Sequence, residues 1–126
     1  MYYKGTIKKI HNCGRYIMKD TNPRKLDENM FRYRQSMSDA EETVYEHVFP
    51  VYRYHAAVTL EARFMLIKET GEIKIDVFDS GTKGIYGPWY NDESGIHDKI
   101  IGIINSNIAK EMKRLNIFEE EENRNG

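Results

Sequence analysis

Apolar side chains occupy every second position in two neighbouring stretches of this chain. The first is Val58–Leu66 and the second is Ile73–Val77, with Thr70-Gly71 between them. A period of two residues places the apolar side chains on one face of a strand, and a glycine-containing turn between two such runs is typical of a β-hairpin. This pattern predicts a long antiparallel hairpin with one buried face.

A longer period marks the end of the chain. Asn91–Ser94 offers capping side chains and early negative charge, both of which favour a helix start. Lys110, Lys113 and Arg114 fall near the helix end, where cations are favoured. The apolar positions of this predicted C-terminal helix form one stripe: Ile96, Ile100, Ile103, Ile104, Ile108, Met112 and Leu115.

The first half of the chain gives weaker signals. Tyr2–Lys19 predicts a hairpin with its turn at Asn12–Gly14, and residues 20–37 are a polar connection. Ser38–Glu41 has the form of a capping box, in which serine and glutamate satisfy each other's free backbone amides. The apolar residues that follow up to Phe49 fit a helical spacing, and Pro50 would end it. We therefore predict a short middle helix here.

Together these elements predict an α+β fold, an antiparallel β-sheet with a short middle helix and a C-terminal helix. We expect one domain over residues 1–118 and a disordered acidic tail over 119–126, which begins with four glutamates. Because no apolar run of 18 residues and no signal peptide occur, we expect a cytoplasmic protein with no membrane partner.

The residue types exclude several kinds of chemistry. No phosphate-binding glycine loop or His-Glu-x-x-His motif is present, and the single cysteine, Cys13, allows neither an internal disulfide nor a cysteine zinc site. The four histidines are scattered singly. We therefore expect no metal, no cofactor and no catalytic residues. A small enzyme using His97 or His55 with Asp98 or Asp92 is a rival interpretation.

The stretch from Phe78 to Asn91 has the composition of a binding loop. It contains Gly81, Gly84, Gly87 and Pro88 beside the aromatic residues Phe78, Tyr86, Trp89 and Tyr90. Aromatic rings can stack on a planar ligand, and Asn91 offers both a donor and an acceptor. The loop is a candidate pocket wall, with charge supplied by Lys110, Arg114 and Arg24. Alternatively, Trp89 closes the end of the sheet and Asn91 only caps a helix.

Two further segments interleave rings and cations, Phe31–Arg34 and Tyr52–His55. Such patches suit a protein partner or single-stranded nucleic acid, although a net charge of −1 argues against nonspecific nucleic-acid binding. The second function hypothesis is a small inhibitor module that acts through these aromatic-basic patches. A charged strand edge explains them equally well.

In size, in its β-rich front and in the aromatic-asparagine loop before a C-terminal helix, the chain resembles the phage Thoeris anti-defence proteins of the first described type. That resemblance implies a cytoplasmic sponge that sequesters a cyclic ADP-ribose isomer in the host cell without cleaving it.

The resemblance also implies site residues and assembly. It implies stacking by Phe78 or Trp89, hydrogen bonds from Asn91 and charge from Arg114 and Lys110. It further implies a homo-oligomer, a dimer or hexamer with sites shared between subunits, and a second site for cyclic oligonucleotides near Arg24.

Overall fold

The computed structural model describes residues 16–55, 58–91 and 95–119. Within these ranges six strands form one sheet in the order β2-β3-β4-β5-β1-β6, and every described strand pair is antiparallel. The strands are β1 (Tyr16–Met18), β2 (Arg32–Tyr33), β3 (Val44–His55), β4 (Val58–Ile67), β5 (Glu72–Asp79) and β6 (Ile117–Glu119). The helices are α1 (Pro23–Glu28), α2 (Gly87–Asn91) and α3 (Asp98–Arg114). Single 3-10 turns cover Gln35–Met37 and Gly95–His97. The predicted α+β class and the C-terminal helix are confirmed.

The predicted hairpin forms the centre of the sheet. Strands β4 and β5 pair from Leu60 opposite Asp79 to Ile67 opposite Glu72. Gly71 adopts a φ of 78°, and a Cβ there would lie 2.5 Å from the backbone oxygen of Met18. The turn therefore needs glycine both for its left-handed backbone and for the close approach of β1.

One face of the sheet is buried beneath α3. Leu60, Phe64 and Ile75 on the sheet and Ile104 and Ile108 on the helix are fully buried. Burying side chains of this size stabilises a fold by roughly 1.5–3 kcal/mol each. The buried stripe of α3 also includes Ile101 and Asn105, which the predicted stripe omitted. The other face of the sheet, hereafter the open face, carries the polar half of the alternation.

The predicted helix that starts at Ser38 is wrong, because Val44–His55 is strand β3. The serine hydroxyl instead donates to the backbone oxygen of Arg34 and accepts from the amide of Val44, and Asp39 accepts from the amides of Glu41 and Glu42. These side chains close a turn before the strand. β-Branched and aromatic residues favour strands, and pairing with β4 over most of its length outweighs the local helical spacing.

Proline within β3 is tolerated because the strand is irregular there. The register with β4 shifts between Pro50 and Tyr52, as expected for a bulge, and Pro50 is exposed.

A short helix does occur in the first half, but it is α1, inside the predicted polar connection. Its N-cap is Asn22, whose side-chain oxygen accepts from the amide of Arg24, and Pro23 follows at the first helical position.

Several predictions lie partly or wholly outside the described residues. These are the first hairpin up to residue 15, the turn with Cys13, the capping residues 92–94 and the tail beyond residue 119. Of the predicted tail, Glu119 belongs to β6, where it pairs with Tyr16.

Candidate functional site

The loop from Ser80 to Tyr86 and helix α2 cover part of the edge of β5. In the described ranges, β1 pairs with β5 only at Ile73 and Glu72. Farther along, the amide of Tyr86 donates to the oxygen of Val77 at 3.0 Å, and the amide of Val77 donates to the hydroxyl of Tyr90 at 2.9 Å. These bonds satisfy backbone groups that an open edge would expose.

The loop itself is organised by one carboxylate. Asp79 Oδ1 accepts from the amides of Gly81 and Thr82, and its backbone oxygen accepts from the amide of Lys83 at 2.7 Å. Lys83 adopts a left-handed φ of 66°, although glycines stand on either side of the turn. The loop therefore has a defined shape built on hydrogen bonds as well as on glycine.

Trp89 lies in the hydrophobic core rather than on the surface. Its side chain is 4% exposed, and its indole Nε1 donates to Asn105 Oδ1 of α3 at 2.8 Å. Tyr90 packs against it edge to face, with ring centroids 5.0 Å apart. Because both its ring and its polar atom are occupied, Trp89 offers no free surface for a ligand in this structure. The interpretation of Trp89 as a plug of the sheet agrees with this placement.

Phe78, by contrast, lies half-buried on the open face with polar neighbours. The guanidinium of Arg63 lies over its ring, 5.7 Å from the centroid. Arg63 donates to Asp76 at 3.0 Å and to Glu46 at 3.1 Å. Tyr90 donates its hydroxyl hydrogen to the other oxygen of Asp76 at 3.2 Å. A row of alternating charges thus crosses β3, β4 and β5.

An exposed apolar side chain completes this arrangement. Ile85, which is 67% exposed, forms an isolated antiparallel bridge with Phe78. Residues that face each other in an antiparallel bridge project on the same side of a sheet. We therefore define the open-face cluster as Arg63, Asp76, Phe78, Ile85 and Tyr90, with the exposed Asn91 next in the chain.

The protonation states within the open-face cluster are firmly set. Burial acts against the charge on Arg63, but the hydrogen bonds that Arg63 donates to Asp76 and Glu46 outweigh burial and raise the pKa of the guanidinium. Burial raises the pKa of Tyr90 to about 12, partly opposed by the hydrogen bond from the Val77 amide and reinforced by the charge of Asp76. Near neutral pH the cluster therefore presents a cation and a neutral phenol.

Two predicted site residues, Phe78 and Tyr90, lie beside the Arg63–Asp76 pair, whereas the side-chain nitrogen of Asn91 lies near Gly87. Sequence reasoning missed Arg63 and Asp76. The predicted hairpin could have identified them, because both occupy polar positions of its alternating pattern. A symmetric register around the Thr70-Gly71 turn also places them on facing strands. The observed register pairs them directly.

The predicted cations lie elsewhere. Arg114 binds Glu111 at 2.8 Å and Asn29 at 3.3 Å, and Lys110 is exposed one turn earlier on α3. Arg24 is exposed on α1 and pairs with Glu28 at 3.8 Å. Arg114 is nine residues beyond Asn105, the helix residue that contacts Trp89, which is about 13 Å along an α-helix. Among the described residues, these cations therefore do not lie beside the aromatic loop.

A buried histidine–carboxylate pair was also missed. His47 is 5% exposed among Phe31, Phe49 and Phe64, and its Nε2 lies 2.6 Å from Glu111 Oε2. Hydrogen bonds from Arg114 hold the pKa of Glu111 below its ordinary value, with a smaller contribution from His47 and against the effect of burial. His47 is enclosed by the core whereas Glu111 is partly exposed, and the pair joins β3 to α3.

The structure describes only some of the residues on which the rival enzyme interpretation depends. His97 Nδ1 lies 3.2 Å from the hydroxyl of Tyr86, while Asp92 and the side chain of His55 lie outside the described residues. No group of three potential metal ligands occurs in the part of the chain that the structure describes.

The two aromatic-basic segments do not form one surface. Tyr33 pairs with Tyr45 at one end of β3, whereas Tyr52 is seven residues farther along, about 23 Å in an extended strand. They are therefore separate features of the sheet edge.

No protein-family model matches this chain, and neither the curated proteins nor the solved structures contain a significant match. Among the described helices, none combines the length and the apolar character that crossing a bilayer requires.

Proposed function

We propose that this protein binds a small planar ligand of the nucleotide type at the open-face cluster and holds it without converting it. The supporting observation is the pairing of Phe78 and Ile85 on the open face beneath an oriented guanidinium, that of Arg63. A base that stacks on an aromatic ring or on an arginine plane gains about 1–3 kcal/mol.

The neighbouring groups suit the rest of a nucleotide. Asn91 is exposed beside Tyr90 and can donate to and accept from a base or ribose edge. Lys74 is exposed on the same face of β5, two residues before Asp76, and can contact a phosphate group. The positive charge of Arg63 is already shared with Glu46 and Asp76, so its role is to orient and to stack.

The electrostatics favour binding over proton-transfer chemistry. A general acid or base works best with a pKa near the ambient pH. The pKa values of Arg63 and Tyr90 are both raised, that of Tyr90 to about 12. Neither group would exchange a proton readily near neutral pH, whereas the plane of the Arg63 guanidinium is suited to stacking.

In its specific form, the proposal is that of a phage anti-defence sponge. The ligand is then a cyclic ADP-ribose isomer, removed from an immune effector in the cytoplasm of the host cell. Cations for the phosphates would come from a second copy of the chain, since Arg114 and Lys110 lie away from the cluster of their own subunit.

Titration calorimetry with cyclic ADP-ribose isomers tests this proposal. We expect saturable binding and recovery of the unaltered isomer after heat denaturation. Altered ligand would indicate an enzyme, and the lack of any heat of binding would contradict the proposal.

Matched variants test the location of the site. We expect Phe78→Ala and Asn91→Ala to weaken binding at least tenfold, which corresponds to about 1.4 kcal/mol. The control is Phe118→Ala, which removes another half-exposed ring beneath a cation, Lys19 at 5.5 Å, on the far edge strand β6. An equal loss of affinity in the control variant would contradict a ligand site at the open-face cluster.

A further inference from the structure

One carboxylate on the open face has no partner within the described residues. Glu61 lies on β4, where it is directly opposite Pro50 of β3 on one side and Phe78 of β5 on the other. Its side chain is partly buried. A carboxylate that loses water without gaining a hydrogen bond costs free energy. Glu61 is therefore better suited to meeting a ligand than to stabilising the sheet.

The neighbouring carboxylates on this face are bound by arginine. Glu46 contacts both Arg34 and Arg63, and Asp76 contacts Arg63. The two terminal nitrogens of Arg63 are thus committed to these two carboxylates. Glu61 lies only two positions before Arg63 on the same strand face, yet it receives neither nitrogen. Its oxygens remain available as acceptors.

The ring of Phe78 lies between two unlike neighbours. Glu61 is opposite it on β4, and the exposed Ile85 is opposite it in the isolated bridge. Residues directly opposite each other have Cβ atoms about 4.5–5.5 Å apart, so both neighbours are within reach of a base stacked on this ring. The polar edge of such a base would lose water against Ile85 without gaining a hydrogen bond. That edge is therefore favoured on the side of Glu61.

The chemistry of a carboxylate restricts the base edge that it can bind. An ionised carboxylate only accepts hydrogen bonds. The exocyclic amines of adenine, cytosine and guanine are donors, whereas the O4 oxygen of thymine is an acceptor. A hydrogen bond to a charged acceptor is also stronger than one between neutral groups. Glu61 therefore favours a base that carries an exocyclic amine.

A free cation on the same face gives the site a direction. Lys74 is exposed on β5, four residues from Phe78 or about 13 Å along the strand, and no described group pairs with it. A free carboxylate thus lies at the aromatic end of the open-face cluster and a free ammonium group at the other end. A nucleotide has the complementary distribution, with an amine on its base and negative charge on its phosphates.

We propose that Glu61 determines the base specificity of this site by accepting a hydrogen bond from the exocyclic amine of the base that stacks on Phe78. The inference rests on the proposed nucleotide site and adds the class of its ligand. That class is a nucleotide with an amine-bearing base, whose phosphates extend towards Lys74. Adenine, the base of the cyclic ADP-ribose isomers, belongs to it.

Titration calorimetry with two probes tests the role of the amine. The probes are adenosine 5′-diphosphate and purine riboside 5′-diphosphate, which differ only in the 6-amino group. We expect the full chain to bind the adenine nucleotide at least tenfold more tightly, because the analogue leaves the Glu61 carboxylate without a donor. Equal affinities for the two probes would overturn the role of Glu61.

Two leucine variants on the same face test the direction of the ligand. We expect Glu61→Leu to bind both probes equally, because the acceptor that distinguishes them is gone. The matched control is Lys74→Leu, which removes a free charge of the opposite sign and should weaken both probes alike without changing the ratio of their affinities. If Glu61→Leu keeps the preference for the adenine nucleotide, Glu61 does not contact the amine and the proposal fails.

Thermal unfolding separates recognition from a structural role. Nε of Arg63 is buried without a hydrogen-bond partner, and Glu61 would stabilise the sheet if it bound that nitrogen. We expect Glu61→Leu to melt at the temperature of the unmodified protein or above it, since no described contact of Glu61 is lost. A lower melting temperature with an unchanged ratio of affinities would assign Glu61 to the fold and overturn the proposal.

The nucleotide site and its base specificity fail in distinguishable ways. If neither probe nor any cyclic ADP-ribose isomer binds, the nucleotide site is contradicted and the specificity falls with it. If both probes bind equally and Phe78→Ala weakens both, the site is supported and the role of Glu61 is wrong.

Discussion

The open-face cluster and the segment from Met30 to Tyr33 both combine arginine with aromatic side chains, yet their charged groups are paired differently. In the cluster, Arg63 is bound by two carboxylates and Tyr90 uses both its hydrogen and its lone pair. In the segment from Met30 to Tyr33, Arg32 has no side-chain partner within the described residues, and the exposed Met30 adopts a left-handed φ of 67°. Paired groups give a surface a fixed shape, whereas free groups leave interaction energy for a partner.

The same difference predicts how strongly a substitution in each region destabilises the fold. Removing one member of a paired set leaves the others partly buried and unpaired, which destabilises the fold. Removing a free surface charge changes little except binding. Stability measurements therefore distinguish the two regions before any ligand is known.

The largest expected effect is at Trp89, the residue that anchors the loop beside the open-face cluster. We expect Trp89→Ala to lower the free energy of unfolding by about 3–5 kcal/mol, because it empties a core position and leaves Asn105 without its donor. Urea denaturation measures this effect. If the variant is as stable as the unmodified protein, Trp89 does not anchor the loop and is again a candidate ligand contact.

An intermediate effect is expected at Arg63. Arg63→Met retains much of the side-chain volume but removes the cation that binds Asp76 and leaves Glu46 with Arg34 as its partner. We expect a loss of about 2 kcal/mol in the free energy of unfolding. The matched control, Arg32→Met, should stay within about 0.5 kcal/mol of the unmodified protein. Equal losses in the two variants would remove the distinction between paired and free cations.

The contacts of Glu111 with His47 and Arg114 predict a pH dependence. Hydrogen bonds from Arg114 lower the pKa of Glu111 from its ordinary 4.5 in the folded state. The unfolded chain then binds more protons, so this contribution to stability is complete above about pH 4.5 and is lost as the pH falls through the folded pKa. We expect Glu111→Gln to reduce the dependence of stability on pH below that value. Chemical denaturation at a series of pH values measures it, and an unchanged slope would contradict the role of Glu111.

The smallest effect is a gain at Met30. Relief of the left-handed strain in Met30→Gly should raise the free energy of unfolding by about 0.5 kcal/mol, since the greater freedom of glycine in the unfolded chain offsets part of the relief. A loss of stability would show that the exposed Met30 side chain packs more productively than its surface exposure suggests.

Local patterns predicted those parts of the fold in which all apolar residues share one period. The alternation from Val58 to Val77 leaves one solution, a hairpin turned at Gly71. The apolar residues near the end of the chain predicted helix α3 but only part of its buried face, which also includes Ile101 and Asn105. Val44–His55 allowed two solutions. Its valines and aromatic residues fit a helix by spacing and a strand by propensity, and long-range pairing with β4 decided between them.

The candidate site was predictable in its residue types but not in its grouping. Sequence reasoning selected Phe78, Tyr90 and Asn91 and also Trp89, because composition does not reveal which ring of an aromatic loop turns inward. In the folded chain, the hydrogen bond to Asn105 directs Trp89 into the core.

The sequence by itself determined the α+β class, the central hairpin and part of the buried stripe of α3, because each depends on a periodicity set by backbone geometry. The tertiary structure alone decided which charged groups meet. Arg63 finds Glu46 and Asp76 through strand register, and Arg114 joins Asn29 rather than the aromatic loop because α3 runs along β3 towards α1. Contacts between residues far apart in sequence depend on how elements pack, and no local pattern records that packing.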